Sequence, residues 1–192
     1  MLSSHRVRFY FIWICASIFY VYQFILRVSP SLIVDDLMGF FHLDASGVAQ
    51  LSSLAMYAYA LMQIPAGLSV DAFGVRRILM ASVVLCLLGV SLFASTHDLH
   101  WAQLGRILLG TGSASAFLCV GKVSALWFPP ERRAVLLGMT MAMGKVGGYL
   151  GNVGLSLMIA QWRWHTSLLL THSLGLLTIL GAYLMITSRQ EE

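Results

Sequence analysis

Charge is what this 192-residue chain has least of: Asp, Glu, Lys and Arg together make up only 10% of it, 12 basic residues against 8 acidic. Soluble domains average about 25% charged residues, so these side chains cannot cover a surface that faces water. Cysteine is scarce as well. Cys15, Cys86 and Cys119 all lie in apolar stretches without metal-ligand spacing, which excludes a disulfide scaffold and a metal centre and leaves them as small packing residues. No long Lys/Arg run accompanies the formal charge of +4, so a nucleic-acid partner is excluded. No nucleotide-binding loop is present, and nothing in the sequence calls for a cofactor. ATP-driven work would need another subunit.

What the chain does have is apolar length. Hydrophobic residues make up 58% of it, 17 glycines add to that, and mean hydropathy is +0.80. A membrane-crossing helix needs about 20 apolar residues, so the length accommodates six such helices with short loops and no soluble domain. Hydropathy places them at about 9–28, 48–68, 78–95, 101–126, 135–159 and 167–186, a single all-α transmembrane domain over residues 1–192. Barrel strands would alternate, whereas these runs are continuous. The basic start at Arg6 and Arg8 imitates a signal peptide, but the apolar run continues through Ile25 without a small-x-small cleavage site and reads as the first span.

Basic residues set the expected orientation. With the N-terminus in the cytoplasm, Arg6, Arg8, Arg76, Arg77, Arg132, Arg133 and Arg189 are cytoplasmic and Arg163 alone is external. The positive-inside rule then puts both termini in the cytoplasm. The other four cations, Arg27, Arg106, Lys122 and Lys145, fall within or at the ends of spans, while every acidic residue falls in a loop or tail. A charge near the centre of a membrane helix costs at least about 2.5–3.5 kcal/mol. Each of these cations therefore needs a headgroup, a watery cavity or an anionic ligand.

Spacing sorts them. Tyr20, Gln23 and Arg27 follow an i, i+3, i+7 pattern that gathers a phenol, an amide and a guanidinium on one helix face, a candidate lining for a solute path. The competing reading has Arg27 reaching the external headgroups. Arg106 precedes Gly110 and Gly112 in the fourth span, where small residues permit close helix approach. Lys122, near the cytoplasmic end of that span, reads as an ordinary helix-end cation. Lys145 lies about 15 Å into the fifth span at 1.5 Å per residue, among Gly144, Gly147, Gly148 and Gly151. Substrate contact, coupling and helix pairing are its candidate roles. His165 and His172 read as structural.

The loop after the second span, Gly67-Leu-Ser-Val-Asp71-Ala-Phe-Gly74-Val-Arg76-Arg77, resembles the G-x-L-x-D-x-x-G-R-[RK] signature of the major facilitator superfamily, with its basic pair displaced by one position. Gly74 suits a tight turn, and Asp71 could cap the next helix or pair with a cation. Arg106-Ile-Leu-Leu-Gly110-Thr-Gly112 is similar to the family's R-x-x-x-G-x-G, and Trp127-Phe-Pro-Pro-Glu131-Arg132-Arg133-Ala to its W-F-P-P-x-E-R-x-x-A with one residue deleted. With Trp162-Arg163-Trp164, the likeness is greatest to the anion:cation symporter branch.

The resemblance implies an alternating-access carrier of small solutes, anionic ones by branch, and by placing the first and fourth helices on the cavity it favours Arg27 and Arg106 as substrate contacts; Tyr20, Gln23 and Lys145 join them as candidates from their own positions in the spans. Gly67, Asp71, Gly74, Arg76 and Arg77 become the gating motif. An organic-phosphate branch of the family has an anion-binding arginine at a position similar to Arg27, and a functional His where Gly144 stands here. The Gly-Pro pair of drug antiporters is absent around Gly147-Gly148, which disfavours drug export. Six helices match the first half of a twelve-helix carrier, so the expected partners are the bilayer, a small anionic solute, and a second six-helix half or a second copy of the chain. A proton relay would come from that other half or from the solute. In a Gram-negative bacterium the location would be the inner membrane. The alternatives are a non-transporting remnant or regulatory subunit and, remotely, a rhomboid-like serine protease using Ser113 or Ser115 with His172, although the required G-x-S-G is missing.

Overall fold

The architecture is taken from a computed structural model that describes residues 2–173, 175–178 and 180, with side chains from Phe9 onward. Among the described residues the secondary structure is helical throughout. Helix α1 spans Leu2–Val28 and runs into a 3-10 turn, Ser29–Leu32, where buried Pro30 cannot supply the next amide donor. Helix α2, Val34–Phe41, was not anticipated, because at 8 residues it is too short for a hydropathy signal. It buries Leu37 and Phe41 and carries Asp35 and Asp36 in its first turn, the favourable end of the helix dipole.

Helix α3, Ala45–Phe73, is longer at both ends than the expected 48–68. Asp44 caps it by accepting the Gly47 amide at 2.7 Å, and the helix runs through Pro65 to Gly74. Polar residues at both ends had hidden those extra turns from hydropathy. Gly74 then turns the chain directly into α4, Val75–Ser95, with a φ of +83° that side-chain-bearing residues rarely adopt.

The fourth expected span is two helices, α5 (Leu99–Ser113) and α6 (Ser115–Trp127), joined at Ala114 by a tighter bond from its amide to the Thr111 carbonyl at 3.3 Å. Together they form a 29-residue apolar stretch. Helix α7, Pro130–Gln161, follows, then α8, Trp164–Leu170, with further helical residues beyond it. The last part of the expected sixth span, 181–186, and Arg189 lie outside the described residues.

Among the described residues, three stretches are long and apolar enough to cross a membrane: Phe9–Leu32, Val75–Ser95 and Leu99–Trp127. Their packing relies on small residues, since lipid tails offer helices no hydrophobic incentive to associate. A Cβ on Gly89 would lie 2.6 Å from the Gly105 carbonyl oxygen, and one on Gly105 would lie 2.7 Å from that of Gly89. A Cβ on Gly112 would stand 2.6 Å from the Ser82 oxygen. Helices α4 and α5 therefore meet backbone to backbone. Gly110 holds α5 equally close to Ala55 of α3, and Gly144, Gly147 and Gly151 bring α7 onto Tyr20, Val21 and Ile25 of α1. Gly148 makes an ordinary contact with Phe24. Leu61, Ile64 and Leu68 of α3 and Tyr149, Leu150 and Leu157 of α7 are exposed, a surface suited to lipid or another helical bundle.

Candidate functional site

Near the last turn of α1, the Arg27 guanidinium donates to Gln23 Oε1 at 2.8 Å. Its central carbon lies 4.4 Å from the ring centroid of Tyr59, on α3, and 5.1 Å from that of Phe24. Gln23 is buried and its Nε2 has no hydrogen-bond partner among the described residues. One helical turn separates the amide from the guanidinium, so the pair follows directly from the sequence spacing. Tyr59 does not: its contribution depends on how α3 leans against α1, and no pattern within α1 could have revealed it. Tyr20, one turn earlier, is buried against Phe24, against Phe117 of α6 at 5.5 Å between centroids, and over Gly144. The result is a half-buried guanidinium oriented by an amide and two aromatic rings, with donors left over for a planar anion.

Arg106 and Lys145, two of the other three interior cations, stand apart from this cluster. Arg106 is only 2% exposed; it donates to the Ser52 carbonyl of α3 at 3.2 Å and lies 5.6 Å from the Phe93 ring centroid. Its Nε has no partner among the described residues. Lys145 is exposed, while the neighbouring Gly144 and Gly148 take the α1-facing side of α7. Neither cation makes a hydrogen bond to Tyr20, Gln23 or Arg27.

The expectation that no cation in the spans has a carboxylate partner fails at Lys122. Its Nζ donates to Asp71 Oδ1 at 2.7 Å, joining the end of α3 to α6. Of the two roles open to Asp71, it takes the ion pair and leaves the next helix without a side-chain cap; the 51-residue separation hid which cation it would meet. The pair sits on a groove of about 370 Å³ lined in part by Gly67, Leu118, Gly121 and Ala125. A Cβ on Gly121 would meet nothing within 4 Å, so this glycine faces open space. Arg76 is half-buried and Arg77 is exposed at the start of α4.

A second polar node also escaped the sequence. Thr140 Oγ1 of α7 accepts from Trp13 Nε1 at 3.1 Å, is 3.1 Å from Ser17 Oγ, and donates to the Leu136 carbonyl at 2.9 Å. All three side chains are buried, so α1 and α7 share satisfied polar groups as well as glycine contacts.

The protease pairing is not formed. Ser113 donates to the Leu109 carbonyl at 2.7 Å and Ser115 to Ser82 at 2.6 Å, whereas His172 Nε2 is engaged with Ser91 at 2.8 Å. Among the described residues no imidazole is placed to activate either serine.

Helices packed through glycine and a mostly apolar exterior define a multi-pass membrane protein whose polar side chains form small clusters between helices. Residues 12–192 match the Major Facilitator Superfamily, and the chain belongs to that family. It is 29% identical to the uncharacterized transporter YybO of Bacillus subtilis over 74% of this chain and 33% of that protein. It is 23% identical to the hexuronate transporter of the same organism over 95% of this chain and 42% of that protein. With the probable L-galactonate transporter of Escherichia coli the identity is 26%, over 77% of this chain and 33% of the other. The chain thus spans 33–42% of these relatives' lengths. All three relatives are named as transporters.

Proposed function

We propose that this chain forms one six-helix bundle of a secondary carrier for small organic anions, with both termini on the cytoplasmic side. The observation that carries this reading is the Arg27 cluster: a half-buried guanidinium, fixed by Gln23 and two rings, whose charge no carboxylate among the described residues offsets. A carboxylated sugar would present a bidentate acceptor to Arg27 and hydroxyls to Gln23 and Tyr59. The relatives named for hexuronate and galactonate support that substrate class. Lys145, exposed on this bundle, is a further anion contact once a second bundle closes the path, whereas Arg106 supports the path only by tying α5 to Ser52 of α3. Solute translocation proceeds by exchange of access about a site between the two bundles.

The groove along Asp71 and Lys122 is where the second bundle bears on this one, with Gly67 and Gly121 leaving room for a helix; that bundle is either more of the same polypeptide or a second copy. Asp71, Gly74 and the Arg76–Arg77 pair form the gate on the cytoplasmic side, and in a Gram-negative cell the protein resides in the inner membrane. Uptake of labelled hexuronate into proteoliposomes tests the reading, with the second bundle supplied. Arg27→Ala should abolish uptake and Arg27→Lys should restore little of it, because an ammonium cannot reproduce the planar fork. Uptake unchanged in Arg27→Ala, or absent with every partner bundle, refutes it.

A further inference from the structure

At the border where the apolar run of α1 begins, four aromatic side chains and an arginine enclose a second cavity, of about 270 Å³. Phe9 and Trp127 stack with ring planes 5° apart and centroids at 5.9 Å, while Tyr10 meets Phe128 edge to face at 5.0 Å. Arg132 closes one side. Its Nη1 donates to the Tyr10 hydroxyl at 3.0 Å, and among the described residues it makes no ion pair. Arg133 fixes the wall behind it by donating from Nε to the Phe128 carbonyl at 3.0 Å. The site is therefore an ordered apolar pocket with a cation held at its mouth by a neutral hydroxyl, which orients the guanidinium without consuming its charge.

We infer that this cavity binds the phosphate of an anionic glycerophospholipid. Three observations favour a lipid over a free anion. The cavity is lined from the ends of two membrane-length apolar stretches, Phe9–Leu32 and Leu99–Trp127, where a bilayer would pass from acyl chains to headgroups. Its walls are rings that would line the glycerol and upper acyl region. Among the described residues its single charge is the exposed Arg132, which suits a headgroup at the water boundary. A soluble anion would gain little from the aromatic lining. The bound lipid would tie the N-terminal part of α1 to the start of α7, since Tyr10 and Arg132 come from those two segments. This inference does not depend on the transported solute, because it concerns the border of the bilayer and not the Arg27 cluster.

The test uses the full chain in bilayers containing dibrominated phosphatidylglycerol or dibrominated phosphatidylcholine, reading quenching of Trp127 as the difference between the unsubstituted protein and Trp127→Phe. Quenching by the anionic lipid should reach its midpoint at a mole fraction about fivefold lower than by the zwitterionic one, the preference expected of one arginine near a membrane surface. Arg132→Gln should bring the two midpoints together, Tyr10→Phe should narrow the gap, and Arg77→Gln should leave it unchanged. Equal quenching by the two lipids, or a preference that survives Arg132→Gln, overturns the inference. So does relief of phosphatidylglycerol quenching by millimolar inorganic phosphate, which would mark a soluble-anion site. None of these readouts involves transport, so failure here leaves the carrier reading untouched, and the reverse.

Discussion

Consider replacing Gly110 with alanine. The added methyl would overlap the Ala55 carbonyl and stand 2.9 Å from both the Ala55 carbonyl carbon and the Ala58 Cβ. The obstacle is mainly backbone, which cannot turn aside as a side chain can, so α3 and α5 must separate. Forcing a methylene-sized group into a packed contact costs about 1–3 kcal/mol, and alanine's better helix propensity returns at most about 1 kcal/mol. A net loss of roughly 1–2 kcal/mol follows, lowering a thermal midpoint by about 2–8 °C for a chain of this size. Gly138 is the control: it is exposed on α7, and a Cβ there would meet nothing within 4 Å. Only the propensity gain applies, so Gly138→Ala should raise the midpoint by about 2–4 °C. Thermal unfolding of the two purified variants in one detergent, followed by circular dichroism, decides between them. A Gly110→Ala protein as stable as the unsubstituted chain, or equal shifts in both variants, would refute the contact argument.

Three further outcomes are expected. Asp71→Lys should weaken transport in the reconstituted carrier and Asp71→Lys with Lys122→Asp should restore part of it; stability should change by no more than about 1 kcal/mol because both side chains are substantially exposed, and a swap as inactive as the single variant would show that position, not pairing, matters. Thr140→Val should cost about 1–3 kcal/mol in chemical unfolding, since Trp13 Nε1 loses its buried acceptor; loss of Ser17 alone should cost less. The His165 imidazole is held below its ordinary range, first by burial and then by His97 and Arg163, with Asp36 opposing. The unfolded chain therefore binds that proton more readily, so stability should be full above about pH 6.5 and fall below it. Thermal midpoints between pH 8 and 5 that do not fall, or that fall equally in His165→Phe, would contradict this.

Much of the molecule was legible in one dimension because its signals are local. Apolar run lengths located α1, α4 and the α5–α6 stretch, and the turn at Gly74 followed from a glycine between two helical segments. The Gln23–Arg27 pair followed from helical periodicity alone. Helix α2 was missed for lack of length, and the true ends of α3 because hydropathy falls before helical hydrogen bonding does. Gly110 and Gly112 signalled close packing, but not that α5 would be gripped from both sides, by α4 and α3.

By itself, the sequence determined the solvent: with 10% charge and 58% hydrophobic residues, this chain must live in a bilayer, and its motifs pointed to the carrier family. Only the tertiary structure decided what each interior charge does. Lys122 finds Asp71 across 51 residues, Arg27 gains the Tyr59 ring from another helix, and Arg106 is sealed against Ser52 and Phe93. The physical reason is range. Helix formation and membrane partition depend on neighbours a few residues away, whereas the fate of a buried charge depends on whichever helix packs against it.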